Sequence, residues 1–297
     1  MLLILLLTLT PFQADKVEIV REKNERIVHL IGNVIIEGSE TKITCVEAKI
    51  SEAHGWVWLS QDVRLLNRNG EVSASSAIYY FNEERGYLSD SVTIVTSDEK
   101  ISSDSLYYDG TTDSVEMYGN VTIEDSKNNL IVYGERGWYN LTKDEGLLLG
   151  NPHLEVARQD KAPMMVYANA FKLRTNDNLF YGFGSVKAII DSVVVDCDTF
   201  SYDLQKELGE MIQPVIQEGD NELKGTHGLF RLKNKEMEFM SVGNGQSVYY
   251  TDEGTKNVVE GNNISIMFKQ GKAAVITVEG KPNGVLWLKR GQENASD

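Results

Sequence analysis

Cysteine is nearly absent from this sequence, with only Cys45 and Cys197 in 297 residues, which excludes a disulfide-stapled scaffold and a thiolate zinc site. Histidine is equally sparse. His29, His54, His153 and His227 are scattered without ligand spacing, so structural or surface roles are expected and no metal or cofactor is assigned. Basic residues fall short of acidic ones, 29 against 44. The resulting charge of −15 excludes nucleic acid, whose binding draws on clustered Lys and Arg. Only 5 Pro are present, against 25 Gly and 13 Tyr with abundant Val, Ile and Thr, a balance of strand formers rather than of a disordered chain. After the first residues no segment is apolar enough to span a membrane.

The one apolar run is at the start, "MLLILLLTLTPFQAD". At about ten residues it is too short for a spanning helix and fits the core of a secretory signal, with cleavage after Ala14. A buried first strand is the alternative reading. The expected organisation is a signal segment over 1–14, one repeat region over 15–291 and a frayed tail over 292–297.

What fills the repeat region is a periodic pattern: a small residue, two others, an apolar residue, one other, and a large apolar residue. It occurs at Cys45-Ala48-Ile50, Ala74-Ala77-Tyr79, Ser103-Leu106-Tyr108 and Gly134-Gly137-Tyr139. It continues at Ala168-Phe171-Leu173, Cys197-Phe200-Tyr202, Gly225-Gly228-Phe230 and Gly261-Ile264-Ile266, in steps of 28 to 36 residues. One match means little; eight in near-register define a repeat. Each copy runs into a polar turn, then a second apolar run, then a corner and a third run. Gly32-Asn33-Val34, Gln61-Asp62-Val63, Asp90-Ser91-Val92, Gly119-Asn120-Val121, Gly150-Asn151-Pro152 and Gly184-Ser185-Val186 hold the corner slot. Gly, Asn and Asp tolerate the positive φ of a tight corner, so these are punctuation and not phosphate cradles.

Side-chain parity gives the buried face. Leu106 and Tyr108 point one way, as do Phe200 and Tyr202, while the small residue three positions earlier has the wrong parity and requires a bulge or bend. Units of about three strands cannot bury their faces alone and must stack. "YDLQKELGEMIQ" (202–213) reads as strand and distorted turn rather than helix, and 155–164 and 243–257 read as loops or bulged hairpins. Cys45 and Cys197 share the small slot of distant copies. Strands about 4.8 Å apart put them beyond the roughly 7 Å that a disulfide bridges, so two free buried thiols are expected. Asp196 and Asp198 fall on the face opposite Cys197, and "GFG" (182–184) reads as a corner. No Ser-His-Asp or Cys-His set can be assigned, and the chain is not expected to be an enzyme.

The "GNV" corners, "ASSAIYY" (74–80) and "GYLSDSV" (86–92), in this order and repetition over residues 17–290, resemble the OstA-like family, which includes LptA, LptC and the N-terminal domain of LptD. The resemblance implies an all-β fold, an elongated open β-jellyroll of about eight antiparallel repeats of about 30 residues. It implies a periplasmic, non-enzymatic conduit for lipopolysaccharide or a related glycolipid, associated with the outer membrane in some members. Ile50, Tyr79, Leu106, Tyr108, Tyr139, Phe171, Leu173, Phe200, Tyr202 and Phe230 would line the acyl-chain trough. Partners would be Lpt-type components of the inner and outer membranes, or further copies stacked end to end. Unpaired edges carrying Val17 and Ile19 at one end and Val285 and Trp287 at the other would dock them, with Lys289 and Arg290 restraining uncontrolled stacking. Two other readings remain: a structural or adhesive solenoid that binds on its outer surface, and a carbohydrate-active β-helix, for which no facing cluster of acids is assigned.

Overall fold

The computed structural model describes residues 11–22, 25–38, 41–158, 160–174, 177–233, 236–250, 254–269 and 272–287. The apolar run over 1–10, the tail over 292–297, Lys289 and Arg290 lie outside them. Among the described residues every regular element is a strand, and the chain divides into two compact units, Met1–Val156 and Ala157–Asp297.

The first unit holds β1 (Phe12–Gln13), β2 (Lys16–Glu22), β3 (Glu25–Glu37), β4 (Thr41–Ser51), β5 (Trp56–Asn67) and β6 (Gly70–Tyr80). It continues with β7 (Arg85–Val95), β8 (Glu99–Asp109), β9 (Ser114–Asp125), β10 (Leu130–Asn140), β11 (Glu145–Leu149) and most of β12 (His153–Arg158), the unit ending at Val156. Successive strands pair antiparallel from β2 through β10, and β10 closes on both β11 and β12.

The three runs expected in each copy resolve into two long strands. Trp56–Leu59 and Val63–Leu65, for instance, are the two halves of β5, which passes through the Gln61-Asp62 corner without ending. The corner is a bulge, two residues opposite one in the next strand, so Ser60↔Ser76 is followed by Val63↔Ala74. Both corner residues are left-handed: φ is 75° and 46° at Gly32-Asn33, 62° and 51° at Gln61-Asp62, 63° and 60° at Asp90-Ser91, and 72° and 47° at Gly119-Asn120. Asn, Asp and Gly meet that demand at the lowest steric cost.

The bend explains the parity break. On the strand facing a corner, Cys45 and Ala48 both point inward with two residues between them, where a flat strand has one. The extra residues lie on the outside of the bend, and Val46 there is 38% exposed. Each bent strand therefore folds the sheet into two half-sheets with their inner faces together. The Val after each corner lies at the fold: Val34, Val63, Val92 and Val121 are at most 1% exposed.

The corners have a partner that the pattern search missed. The residue after the small slot reaches across the fold: Asn120 Nδ2 donates to Asp104 at 3.0 Å, and Ser75 Oγ donates to the Asp90 carbonyl at 3.0 Å. Asn33 Nδ2 donates to Asp15 at 2.8 Å in the same way. Asp15 follows Ala14, and Ala14-Val17-Ile19 repeats the small–apolar–large pattern ahead of Cys45. Residues 11–14, which the export reading assigns to the signal segment, thus take part in the ladder, with Phe12 opposite Ile36.

The second unit repeats the plan with more interruptions. It holds β13 (Lys161–Tyr167), β14 (Ala170–Arg174), β15 (Leu179–Ile190), β16 (Val193–Asp203), β17 (Leu208–Ile212) and β18 (Val215–Glu218). Then come β19 (Asn221–Lys224), β20 (His227–Lys233), β21 (Glu236–Tyr250), β22 (Lys256–Lys269), β23 (Lys272–Glu279) and β24 (Asn283–Leu286). Here several bent strands break at the corner into two short ones: β13 and β14 both pair with β15, β17 and β18 with β16, and β23 and β24 with β22. The 202–213 segment is strand, turn and strand, as its parity requires, with the turn held by Asp203 Oδ1 accepting from the Gln205 and Lys206 amides. Within the 243–257 stretch the hairpin reading holds: its described ends belong to the arms β21 and β22, paired Gln246↔Glu260 through Tyr250↔Lys256.

Candidate functional site

The inner face is built from rows of register partners. In the first unit one row runs Ile50, Val57, Tyr79, Gly86, Tyr108, Val115, Tyr139, Gly146 across β4 to β11. A second row includes Leu88, Leu106 and Met117. The expected lining residues of this unit therefore share one face. Tyr79 is 8%, Leu106 2% and Tyr108 5% exposed, while Ile50 and Tyr139 are half-buried.

Glycine is the part of these rows that sequence reasoning overlooked. Tyr79 and Tyr139 each lie against a glycine of the next strand, and Tyr108 stands opposite Gly86 of the preceding one: a Cβ on Gly86 would come within 3.1 Å of Tyr79 Cδ2, and one on Gly146 within 3.0 Å of Tyr139 Cδ2. The signal was present, a Gly two residues after three of the polar turns (Gly86, Gly146 and Gly209), but it reads as turn composition until the register is known.

In the second unit Phe171, Leu173, Phe200, Tyr202 and Phe230 also share the inner face, and the rings among them form a continuous cluster with Phe180. Phe180 joins Phe171 at 4.8 Å and Phe200 at 5.9 Å between centroids, and Phe230 joins Phe200 at 6.4 Å and Tyr202 at 5.8 Å. Phe171 is 2% and Phe230 8% exposed, with Leu173, Phe200 and Tyr202 half-buried. Gly209 is the seat of Phe230, and a Cβ there would overlap the ring. Gly184 of "GFG" is a corner with φ of 70°, but Gly182 is a ring seat, where a Cβ would come within 2.9 Å of Phe200 Cδ1.

This interior is neutral. Burial pushes the Tyr108 phenol up to about 12 and raises Tyr79 and Tyr202 in the same direction, with nearby carboxylates adding to the shift. Cys45 and Cys197 are buried and free, and desolvation drives their thiols to about 11 and about 12. Asp196 and Asp198 are exposed on the opposite face.

Ser51, His54 and Glu25 form a Ser–His–carboxylate grouping whose wiring is not that of a nucleophile. Ser51 Oγ and His54 Nδ1 both approach Glu25, the latter at 2.8 Å, so the serine proton goes to the carboxylate rather than to the imidazole. These bonds hold Glu25 below the usual carboxylate range, Ser51 contributing most. Among the described residues no group of three or more His, Cys, Asp or Glu could hold a metal ion.

The edges are open on their inner side. In β2, Val17 and Ile19 stand opposite Leu30 and Val28 and continue the interior row past its last covered position, at 46% and 64% exposure. In the second unit Leu286, opposite the buried Asn257, continues the inner row at 60% exposure, whereas Val285 stands opposite Val258 in a row that runs through Val248 to Glu222 on the outer face; Val285 is 52% and Trp287 48% exposed. Among the described residues β2 has no partner on its far side, and neither has β24.

Residues 10–145 match the family model described as LptA/(LptD N-terminal domain) LPS transport protein, which relates most of the first unit to that family. Among solved structures the chain is similar to LptH of Pseudomonas aeruginosa, described as the LptA-homologous periplasmic component of a lipopolysaccharide transport device. That likeness has 14% identity and a TM-score of 0.32, over 36% of this chain and 76% of the other. No curated protein matches the chain.

Proposed function

We propose that the protein is a non-enzymatic carrier in lipopolysaccharide or related glycolipid transport, acting in the periplasm between the inner and outer membranes. The matching family model supplies the transport class, and a burial gradient along several of the bent strands supports the mechanism. Side chains at the fold are closed, as at Val63 (0%) and Val121 (1%), whereas Ile50, Ile94, Ile123, Tyr139 and Tyr202 are half-buried away from it; β5 stays closed along its length, with Val57 at 1% and Leu65 at 4%. The two half-sheets then act as jaws hinged at the corners, with the apolar mouth toward the strand ends. Acyl chains entering it gain about 0.8 kcal/mol per buried CH₂, so several can be held without any specific polar contact.

The uncovered inner rows at β2 and β24 suit Lpt-type partners or a second copy, which would add a strand and extend the same apolar face. Export by the first residues, ending at Ala14, belongs to this reading; cleavage there would remove β1 and leave Asp15 to hold the first corner.

Photo-reactive phenylalanine at Tyr139 or Tyr202 tests the carrier. Irradiation with purified lipopolysaccharide should yield a lipid-linked species from either position and none from Glu83 in a turn. Equal linking at all three positions removes the jaw from the account.

A further inference from the structure

The outer face of the first unit carries a feature that an acyl-chain carrier does not require. On the half-sheet formed by the later part of even-numbered strands and the earlier part of odd-numbered ones, Trp58, Ile78, Tyr87 and Tyr107 are register partners in succession, bounded by Lys49 and Glu116. They point away from the inner row of Leu59, Ala77, Leu88 and Leu106, each being the neighbour of one of them in sequence. Tyr87 is 48% exposed, and its ring lies 4.8 Å from that of Tyr107. Lys49 Nζ borders Trp58 at 5.1 Å from the ring centroid.

Two further rows flank this one. On one side run four hydroxyls, Ser60, Ser76, Ser89 and Ser105, with Ser76 and Ser89 in contact at 2.8 Å. On the other are Trp56, Tyr80, Arg85 and Asp109. Between the rows, Lys49, Trp56, Trp58, Ile78 and Tyr80 enclose a depression of about 300 Å³. The repeat does not demand rings here. The outer face of the other half-sheet, on the same strands, presents Thr44, Arg64, Ser73, Thr93, Ser102 and Thr122 at the corresponding row.

The chemistry narrows the occupant. Charge on this face is balanced although the chain is strongly acidic: Lys49 is set against Glu47 at 3.5 Å, Arg85 against Asp109 at 3.8 Å, and Arg136 against Glu116 at 3.2 Å. A membrane surface would call for excess cation, which is missing. The arrangement fits a ligand that is uncharged, has one apolar face for the rings and carries many hydroxyls for the flanking rows. A pyranose chain has that form, and strands about 4.8 Å apart repeat the contacts along its length.

We propose that this face is a saccharide platform, on which a short uncharged oligosaccharide lies across β5 to β8. Its ring faces rest on Trp58, Tyr87 and Tyr107, and its hydroxyls meet the serine row and the Arg85–Asp109 pair. No lipid is required. The site is therefore independent of the jaw, and either can fail without the other.

The test is tryptophan fluorescence and saturation-transfer NMR on the full chain, titrated with cellohexaose, chitohexaose and maltohexaose. At least one should bind saturably. Trp58→Ala and Tyr87→Ala should each weaken it by about tenfold, while Trp58→Phe retains most of the affinity and Thr93→Ala all of it. Circular dichroism melts confirm that each variant is folded. Absence of saturable binding to all three sugars, or equal affinity in Trp58→Ala and wild type, overturns the proposal.

Discussion

The two units carry their larger aromatic clusters on opposite faces of the same repeat, although Tyr79 and Tyr108 lie inside the first and Tyr181 stacks on Phe183 outside the second. In the first, Trp58, Tyr87 and Tyr107 lie outside, and the closed part of the interior is mostly Val, Leu and Ile. In the second, Phe171, Phe180, Phe200, Tyr202 and Phe230 form a cluster inside. The bent-strand plan tolerates both because its requirements are local: left-handed residues at the corner, a small residue opposite, and a glycine wherever a ring must lie over the neighbouring strand. Within those limits ring placement is free to serve something else. Inner rings make an interior that is adaptable and easily propped open; outer rings make a surface that stacks.

The largest expected difference follows from removing one ring on each side. Phe200→Ala takes away the ring between Phe180 and Phe230 and should cost about 3 kcal/mol. Tyr87→Ala, on the outer face, should stay within about 0.5 kcal/mol. Urea melts of the two variants measure this directly. Similar losses would mean that the outer rings are structural and the contrast between the units is only apparent.

The ring seats come next. Gly209→Ala drives a methyl into Phe230 and should cost about 1–3 kcal/mol through overpacking. Gly219, also in the second unit, has φ of 59° and nothing within 4 Å of the added atom, so Gly219→Ala meets only the backbone penalty of about 1 kcal/mol. If the two alanines cost the same, Gly209 is a turn residue and not a seat.

These two positions also mark how far the sequence could be read. The repeat, the antiparallel all-β class, the left-handed corners and the inward parity of Leu106, Tyr108, Phe200 and Tyr202 follow from local pattern, because each is decided within about six residues. What escaped depends on which residue stands opposite which. The seats at Gly86 and Gly209, the reach of Asp104 to Asn120, and the outer row from Trp58 to Tyr107 join residues from different strands. A bulge of one residue changes every such pairing beyond it. The merging of second and third runs into one strand escaped for the same reason: Gln61-Asp62 reads as a stop, and only the continuing ladder makes it a bend. Ala14 was hidden differently, since a small residue after an apolar run fits a cleavage site as well as a repeat slot.

A smaller effect is expected at the corners. Asn120 has φ of 47°, and Asn120→Val places a β-branched side chain in a left-handed position while removing the bond to Asp104, for about 1–2 kcal/mol. Asn120→Gly loses the bond but not the conformation and should stay within about 1 kcal/mol. In the second unit Ser185 has φ of 51° at the same slot, so Ser185→Val should reproduce the penalty for Val. A corner in either unit that accepts Val without loss is not held left-handed in solution.

The smallest effect concerns the two thiols, one in each unit. Desolvation raises Cys45 to about 11 and Cys197 to about 12 from an ordinary value of 9.0, and Asp196 and Asp198 add to the shift at Cys197. In the native protein near pH 8 both should resist iodoacetamide, and both should react once the chain is unfolded, because the thiolate is the nucleophile. The same shifts give a pH dependence. Above pH 9 the unfolded chain releases thiol protons that the folded chain still holds, so folding stability is complete below that point and declines as pH rises toward about 11 for Cys45 and about 12 for Cys197. Tyr108, raised to about 12, extends the decline from its ordinary 10.0 upward. Cys45→Ala and Cys197→Ala should each flatten the slope between pH 9 and the folded value. The wider window belongs to Cys197, so its variant should flatten the slope to higher pH. Rapid labelling of one thiol in native protein would show that the half-sheets of its unit open at that small slot, and would identify the unit whose jaws part more readily.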